Sequence, residues 1–377
     1  MEENTLLLII NISIYILTGG TIMLLPRITR KNLLYGVKVP GHVASTVQVE
    51  ALHRRFVIVI ASGTILVIAA SILLFLLAPQ HTLLATLYTP ILFIPLYFCA
   101  FYPNWRQAVV LKEANNWQVS GTVFAEISKP ANTNNMPIAW YAASIITVAA
   151  SFIVSVSYVT HMPYSSPADS FRTGMLYTSS SEVLVVSIIN ACVVLLIFLV
   201  AIIVNRVKLQ VDPNQPALSF SQHKVYRKRM GHALGFLTLC TAIGFAIINI
   251  LHIFRLSTFF IEASLFVISM LLFTAPVVVL IIVVIVTGQG GCKVKIHQIA
   301  GCDVKIEAPI ALNRGDDKYW IMGLFYYNPS DPAHMVESRF GVNITPNYAR
   351  VAVKIIMALV IITLVATYIW STWTIFP

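Results

Sequence analysis

Apolar residues in this chain fall into runs too long for strands and too uniform for surface helices. Seven stretches of roughly 20 residues hold no Lys, Arg, Asp or Glu: 5–25, 56–77, 83–102, 138–158, 183–204, 233–254 and 263–286. An eighth, 351–370, holds only Lys354, whose long stem carries its ammonium to the interface from the first turn. About 20 apolar residues take a helix across roughly 30 Å of hydrocarbon, so the pattern predicts eight transmembrane helices. Pro90 and Pro95 in the third run and Pro276 in the seventh predict kinks or a broken helix, because each removes a backbone hydrogen bond that lipid cannot replace.

The pattern changes over 287–350, where no apolar run is long enough to cross. Gly291-Cys292-Lys293-Val294-Lys295-Ile296-His297 is repeated ten residues later as Gly301-Cys302-Asp303-Val304-Lys305-Ile306-Glu307. Both copies alternate apolar and polar positions, which predicts a β-hairpin. An aromatic strip follows from Tyr319 to Tyr327, and then Asp331 and Pro332 read as the cap and first residue of a short helix closing near Gly341. The chain therefore reads as an all-α polytopic integral membrane protein with eight transmembrane helices. It has a seven-helix region over 1–286, a small cytoplasmic α+β lobe over 287–350, and an eighth helix with a short external tail over 351–377.

Composition strengthens this reading. Of 377 residues, 58% are hydrophobic and 11% charged, against roughly 25% charged in soluble domains. With a mean hydropathy of +0.81, too few polar side chains remain to cover a water-soluble fold. The net charge of +10 is distributed by position. When connections are assigned alternately to two sides, 22 of the 25 Lys and Arg residues fall in 26–55, 103–137, 205–232 and 287–350; Arg172, Arg255 and Lys354 are the others. The positive-inside rule puts those four segments in the cytoplasm and both termini outside. Arg54, Arg55, Lys224, Arg227, Lys228 and Arg229 then read as contacts to an anionic inner leaflet, worth about 1 kcal/mol each near the surface. A docking surface for a cytoplasmic protein is the competing reading. The N-terminus is acidic where a signal peptide would be basic, so the first run reads as a retained span. Five scattered cysteines give no disulfide framework.

Candidate chemistry is sparse. Gly288, Gly290 and Gly291 follow the end of a predicted helix, where the dipole is negative, so they read as an exit turn rather than a phosphate loop. Cys292, His297 and Cys302 carry zinc-compatible atoms but lack a Cys-x-x-Cys pair, and read as side chains on a sheet face. Asp316, Asp317 and Asp331 read as turn and cap residues rather than cation ligands. The chain has no His-Glu-x-x-His or Gly-x-Ser-x-Gly motif, and its predicted spans carry no Asp or Glu at mid-depth. The expectation is no catalytic residue, no cofactor, no metal and no enzymatic activity. Asn11, Asn190 and Asn249, the polar groups at depth, read as interhelical hydrogen-bonding residues. The aromatic strip reads first as the core of the lobe, with Trp320, Phe325, Tyr326 and Tyr327 as candidate partner or membrane contacts.

The first connection contains Leu34, Tyr35, Gly36, Val37, Lys38, Val39 and Pro40, with Leu52, His53, Arg54 and Arg55 further on. This resembles the Gly-Ile/Val-Arg-x-Pro loop that follows a membrane span in SdpI-like bacterial proteins. The run from Trp320 to Pro332, with Thr345 to Arg350, is similar to an uncharacterised cytoplasmic domain that closes longer members of that group. The matched stretches cover about a fifth of the chain. The resemblance implies a bacterial plasma-membrane protein, in a family whose namesake confers immunity to a secreted toxic peptide and signals by holding a repressor at the membrane. Gly36, Lys38 and Pro40 would be the signature-loop residues, although this chain departs from the pattern in Lys38 and Val39, in its eight spans and in its large final lobe. The leading expectation is a non-enzymatic sensor or immunity-type protein. Its expected partners are the bilayer with its anionic inner leaflet, a cytoplasmic regulator and an antimicrobial peptide, with no direct nucleic-acid contact. A transporter or flippase for an apolar or lipid-like substrate is the alternative, and an intramembrane enzyme the third reading.

Overall fold

The computed structural model describes residues 2–78, 82–117, 124–125, 136–161, 180–206, 210–211, 216–254, 259–295, 314–341, 344–359 and 361–362. Seven long helices dominate: α1 Glu2–Ile28, α2 Val47–Leu77, α3 Thr82–Ala114, α4 Ile138–His161, α5 Ser180–Arg206, α6 Pro216–Phe254 and α7 Phe259–Thr287. A further helix, α8, covers 351–359. Six of the described helices, α1, α2 and α4 to α7, are long and apolar enough to cross a membrane. The side chains of 82–90 in α3, and residues 360 and 363–370 of the expected eighth span, lie outside the described residues.

The helices expose apolar side chains on a scale that water would not tolerate. Ile65, Leu66, Ile146, Leu196 and Leu271 are each more than half exposed, as are others along the same helices. Apolar patches of that extent mark a lipid-facing surface. Neither α3 nor α7 is broken at its prolines; α7 stays helical through Pro276.

Two bundles result. In the first, α1, α2 and α3 all pack against one another; in the second, α6 is the hub against which α4, α5 and α7 pack. Direct helix-to-helix contact between the bundles is slight, the largest being between α1 and α7. Several helices overshoot the expected spans at one common end. There α2 starts at Val47, α3 continues to Ala114 and α6 starts at Pro216, giving α6 an extension of about 25 Å at 1.5 Å per residue.

The lobe sits on this end. Strands β1 (Leu33–Leu34) and β2 (Val37–Lys38) form a hairpin in the α1–α2 connection, with Leu33 opposite Lys38 and Leu34 opposite Val37. Strands β3 (Phe124–Ala125) and β4 (Gln210–Val211) pair the connections after α3 and α5. In the lobe, β5 (Trp320–Ile321) pairs with β6 (Phe325–Tyr326), and β7 (Met335–Glu337) with β8 (Ile344–Pro346); a bridge from Tyr326 to Asn347 joins the two hairpins. Trp320, Tyr326, Ala333 and Val336 form the lobe's own core.

Two local expectations need correction. The helix expected from Asp331 to Gly341 is an extended segment containing β7. Asp331 does accept from the Ala333 N–H at 2.9 Å, as a cap would. Its carboxylate, however, is also taken by Arg314, and within β7 Val336 is buried between the half-buried Met335 and Glu337, with Ser338 buried again two residues on. That is a strand period, not a helical one. The start of the duplicated hairpin is likewise not a strand: Gln289–Gly291 is a 3-10 turn and 292–293 continue as a turn. Residues 296–313, including His297 and Cys302, lie outside the described residues.

Candidate functional site

Residues 337–341 tie the lobe to several different membrane elements. Both Glu337 carboxylate oxygens accept from Arg30 Nη2 at 2.9 Å, just past the end of α1. The same Arg30 nitrogen lies 3.2 Å from His223 Nε2 on the α6 extension. The Ser338 carbonyl accepts from Gln289 Nε2, in the turn that leaves α7, while Gln289 Oε1 accepts from the Arg30 N–H at 3.2 Å. Arg339 donates to the Gly36 carbonyl at 3.0 Å, and the Gly341 N–H donates to Thr29 Oγ1 at 2.9 Å. Between these polar contacts Phe340 is inserted as a plug. Its ring stacks on Tyr35 at 5.2 Å and meets Phe101 of α3 at 5.0 Å and Phe56 of α2 at 5.9 Å, both edge-on. Such aromatic pairs add about 0.5–1.5 kcal/mol each beyond area burial.

The local chain explains why the hairpin reaches this plug. Tyr35 and Gly36 form a two-residue turn with φ of 47° and 82°, the geometry that matches strand twist in a tight hairpin. A left-handed Tyr costs about 1–2 kcal/mol, and burying its ring against Phe56, Phe101 and Phe340 offsets that cost. Gly36 meets the tip of the β5–β6 hairpin, where a Cβ would overlap the Gly323 carbonyl. Only two glycines permit so close an approach.

Fixed charges hold the rest. Arg314 donates from Nε at 2.5 Å and Nη2 at 2.9 Å to Asp331, and both side chains are fully buried. Tyr326 donates its hydroxyl to the same carboxylate at 3.0 Å. Burial pushes the Asp331 carboxyl up, but the hydrogen bonds from Arg314 and Ala333 outweigh it and hold the group below the usual carboxylate range. Burial draws the Arg339 guanidinium down, and the Asp317 carboxylate opposes that shift. Arg339 also lies over the Trp320 ring at 4.8 Å.

The sequence-derived residues scatter around this junction. Gly36 is at its centre, the Lys38 N–H lies 3.4 Å from Asp317 Oδ1, and Pro40 opens the 3-10 turn Gly41–Ser45. Trp320 and Tyr326 are buried inside the lobe, Phe325 stacks on Phe98 of α3 at 6.4 Å, and Tyr327 is exposed. Arg54, Arg55, Lys224 and Lys228 are exposed, whereas Arg227 and Arg229 are half-buried. Asp316 accepts from the Lys318 N–H at 3.1 Å, the turn role read from sequence. Thr29, His223, Gln289, Glu337 and Phe340 were missed. The available signal was the order acid, hydroxyl, base, aromatic, glycine over 337–341, which fits no single amphipathic face.

Comparison with models of known protein families, with curated proteins and with solved structures found no match. The junction itself is thus the main guide to function. Its contacts are short, directional and drawn from α1, α2, α3, α6 and the α7 exit, so a displacement of any of these ends must drag the lobe segment or break its bonds.

Proposed function

We propose that the protein is a multi-pass membrane sensor of the SdpI-like kind, with eight spans, both termini outside a bacterial plasma membrane and the lobe in the cytoplasm. It responds to a membrane-active peptide or other envelope signal and passes the change to a cytoplasmic regulator through the lobe. The carrying observation is the seat of Phe340 among Tyr35, Phe56 and Phe101, with Glu337 bonded to Arg30 past the α1 end and Ser338 to Gln289 at the α7 exit. The one-sided distribution of Lys and Arg supports the orientation. The immunity role and the non-enzymatic character draw on the signature-loop resemblance and on the scarcity of catalytic groups in the sequence.

The test is deletion and Phe340→Ala in native membranes. Deletion is expected to change sensitivity to a membrane-active peptide, and Phe340→Ala to free the lobe to protease and alter which cytoplasmic protein co-purifies. Unchanged sensitivity on deletion, with an unchanged set of co-purifying proteins once the lobe is free, would overturn the reading. The slight contact between the two bundles favours a second reading, a carrier for a lipid-like substrate. Liposomes containing the protein and showing no flux of labelled lipid or peptide would remove it.

A further inference from the structure

Asp317 lies on the one-turn 3-10 helix Asp317–Tyr319, yet donors from three other elements converge on its carboxylate. Lys112 Nζ of α3 reaches Oδ2 at 2.6 Å, Arg339 Nη1 reaches Oδ1, and the Lys38 N–H of β2 lies 3.4 Å from Oδ1. One donor is built in: the Arg339 side chain is 3% exposed and pinned by Gly36 and Trp320. The acceptor is not, since the Asp317 side chain is 37% exposed.

A cleft of about 370 Å³ opens beside this group. Trp105, Trp117 and Trp320 line it together with Lys112, Arg339 and Gly323, and Glu113 adds an exposed carboxylate at its edge. With Asp317 in place the two cations and two carboxylates balance; with Asp317 turned out to water, one positive charge is uncovered. The Trp105 ring lies tilted against Tyr102 at 5.7 Å, at the end of the expected third span, which is the level of lipid headgroups in the proposed topology.

We infer that this cleft is a binding site for a phosphate-bearing anion, either a phospholipid headgroup or a soluble phosphate ester, and that the Asp317 carboxylate is its resting stand-in. Arg339 Nη1 also donates to the Gly36 carbonyl and Nη2 to the Arg314 carbonyl, so one buried guanidinium N–H beside a lysine ammonium is the donor pair offered to a phosphate oxygen. The tryptophan walls suit the glycerol or acyl portion of such a ligand. The Asp317 carboxylate, 37% exposed, turns out to water without first being drawn from a closed site. The site does not depend on the relay proposed above.

The full-length protein in phosphatidylcholine nanodiscs would be titrated with inorganic phosphate and with glycerol 3-phosphate, followed by tryptophan fluorescence. A parallel series of discs would contain phosphatidylglycerol, with retained lipid counted by native mass spectrometry. Asp317→Asn should tighten binding roughly tenfold and Lys112→Gln should weaken it roughly tenfold, the scale of one charge-assisted hydrogen bond. Saturation by soluble phosphate identifies a soluble ester; retention of phosphatidylglycerol alone identifies a headgroup. Binding by neither, or binding indifferent to Lys112→Gln, overturns the site. So does unchanged or weaker binding by Asp317→Asn with its lobe still protease-resistant. If Asp317→Asn loosens the lobe, Lys112→Gln decides alone. Lobe protection in Phe340→Ala without ligand is read separately, so failure of the relay and failure of this site are distinguishable.

Discussion

Buried polarity takes opposite forms in the second bundle and at the lobe end of the first. In the second bundle it is neutral and lies between helices: Asn249 Nδ2 of α6 contacts Ser151 Oγ at 3.0 Å and Ser155 Oγ at 2.5 Å on α4, and Ser187 Oγ at 3.0 Å on α5. Ser155 and Ser187 are themselves 2.7 Å apart, and Asn190 of α5 donates to the Ala242 carbonyl of α6 at 3.3 Å. At the lobe end of the first bundle it is ionic: Arg30 with Glu337, and Arg314 with Asp331. The difference follows from where water is available. Amides and hydroxyls can be satisfied at depth by their neighbours, whereas a charge at depth is costly, so ion pairs collect where the chain leaves the apolar layer.

Breaking the lobe's buried pair should have the largest effect. Arg314→Met leaves the Asp331 carboxylate buried without its cation, a loss of about 3–5 kcal/mol. Hydrogen exchange should speed up throughout 314–350 while α6 around Asn249 keeps its protection; loosening of both together would erase the contrast between the regions. Phe340→Ala should cost about 3 kcal/mol, but it acts at the seam. Protease should then reach the intact lobe, and a lobe that stays protected would show that the polar contacts suffice.

Acid gives a smaller, graded effect. The Asp331 carboxyl is held below its ordinary value in the folded lobe, so the unfolded chain takes up a proton first as pH falls. The stabilisation is complete above the unfolded value of about 3.9 and is lost as pH drops through the lower folded value. Lobe exchange rates should rise in that window, and Asp331→Asn should flatten the response. The smallest effect is expected in the second bundle. Asn249→Leu should cost about 1 kcal/mol, the scale of one interhelical hydrogen bond in a membrane. Thermal unfolding in detergent measures it, and a loss several times larger would mean that the serine cluster is as critical as the ionic lobe.

Asn190 and Asn249 show how far sequence reading reached. Both bond between helices as expected, because an amide in an apolar run has few alternatives. The exit turn at Gly288 was also legible, since glycines after a long apolar helix mark its end. The extended path of 331–341 was not, because Asp331 followed by Pro332 carries the local marks of a helix start. What overrode them was distant: Arg314, and the partners that Glu337, Arg339 and Phe340 had to meet.

The sequence alone determined the long apolar helices, since hydrocarbon forces a backbone to satisfy its hydrogen bonds within each segment and that demand is written locally as uncharged runs. Tertiary structure alone decided which connections meet. Arg30 and Glu337 are 307 residues apart, and Arg339 and Gly36 are 303 apart. No local pattern encodes such pairings; they exist only once the bundles, the hairpin and the lobe have packed and excluded water around the charges they share.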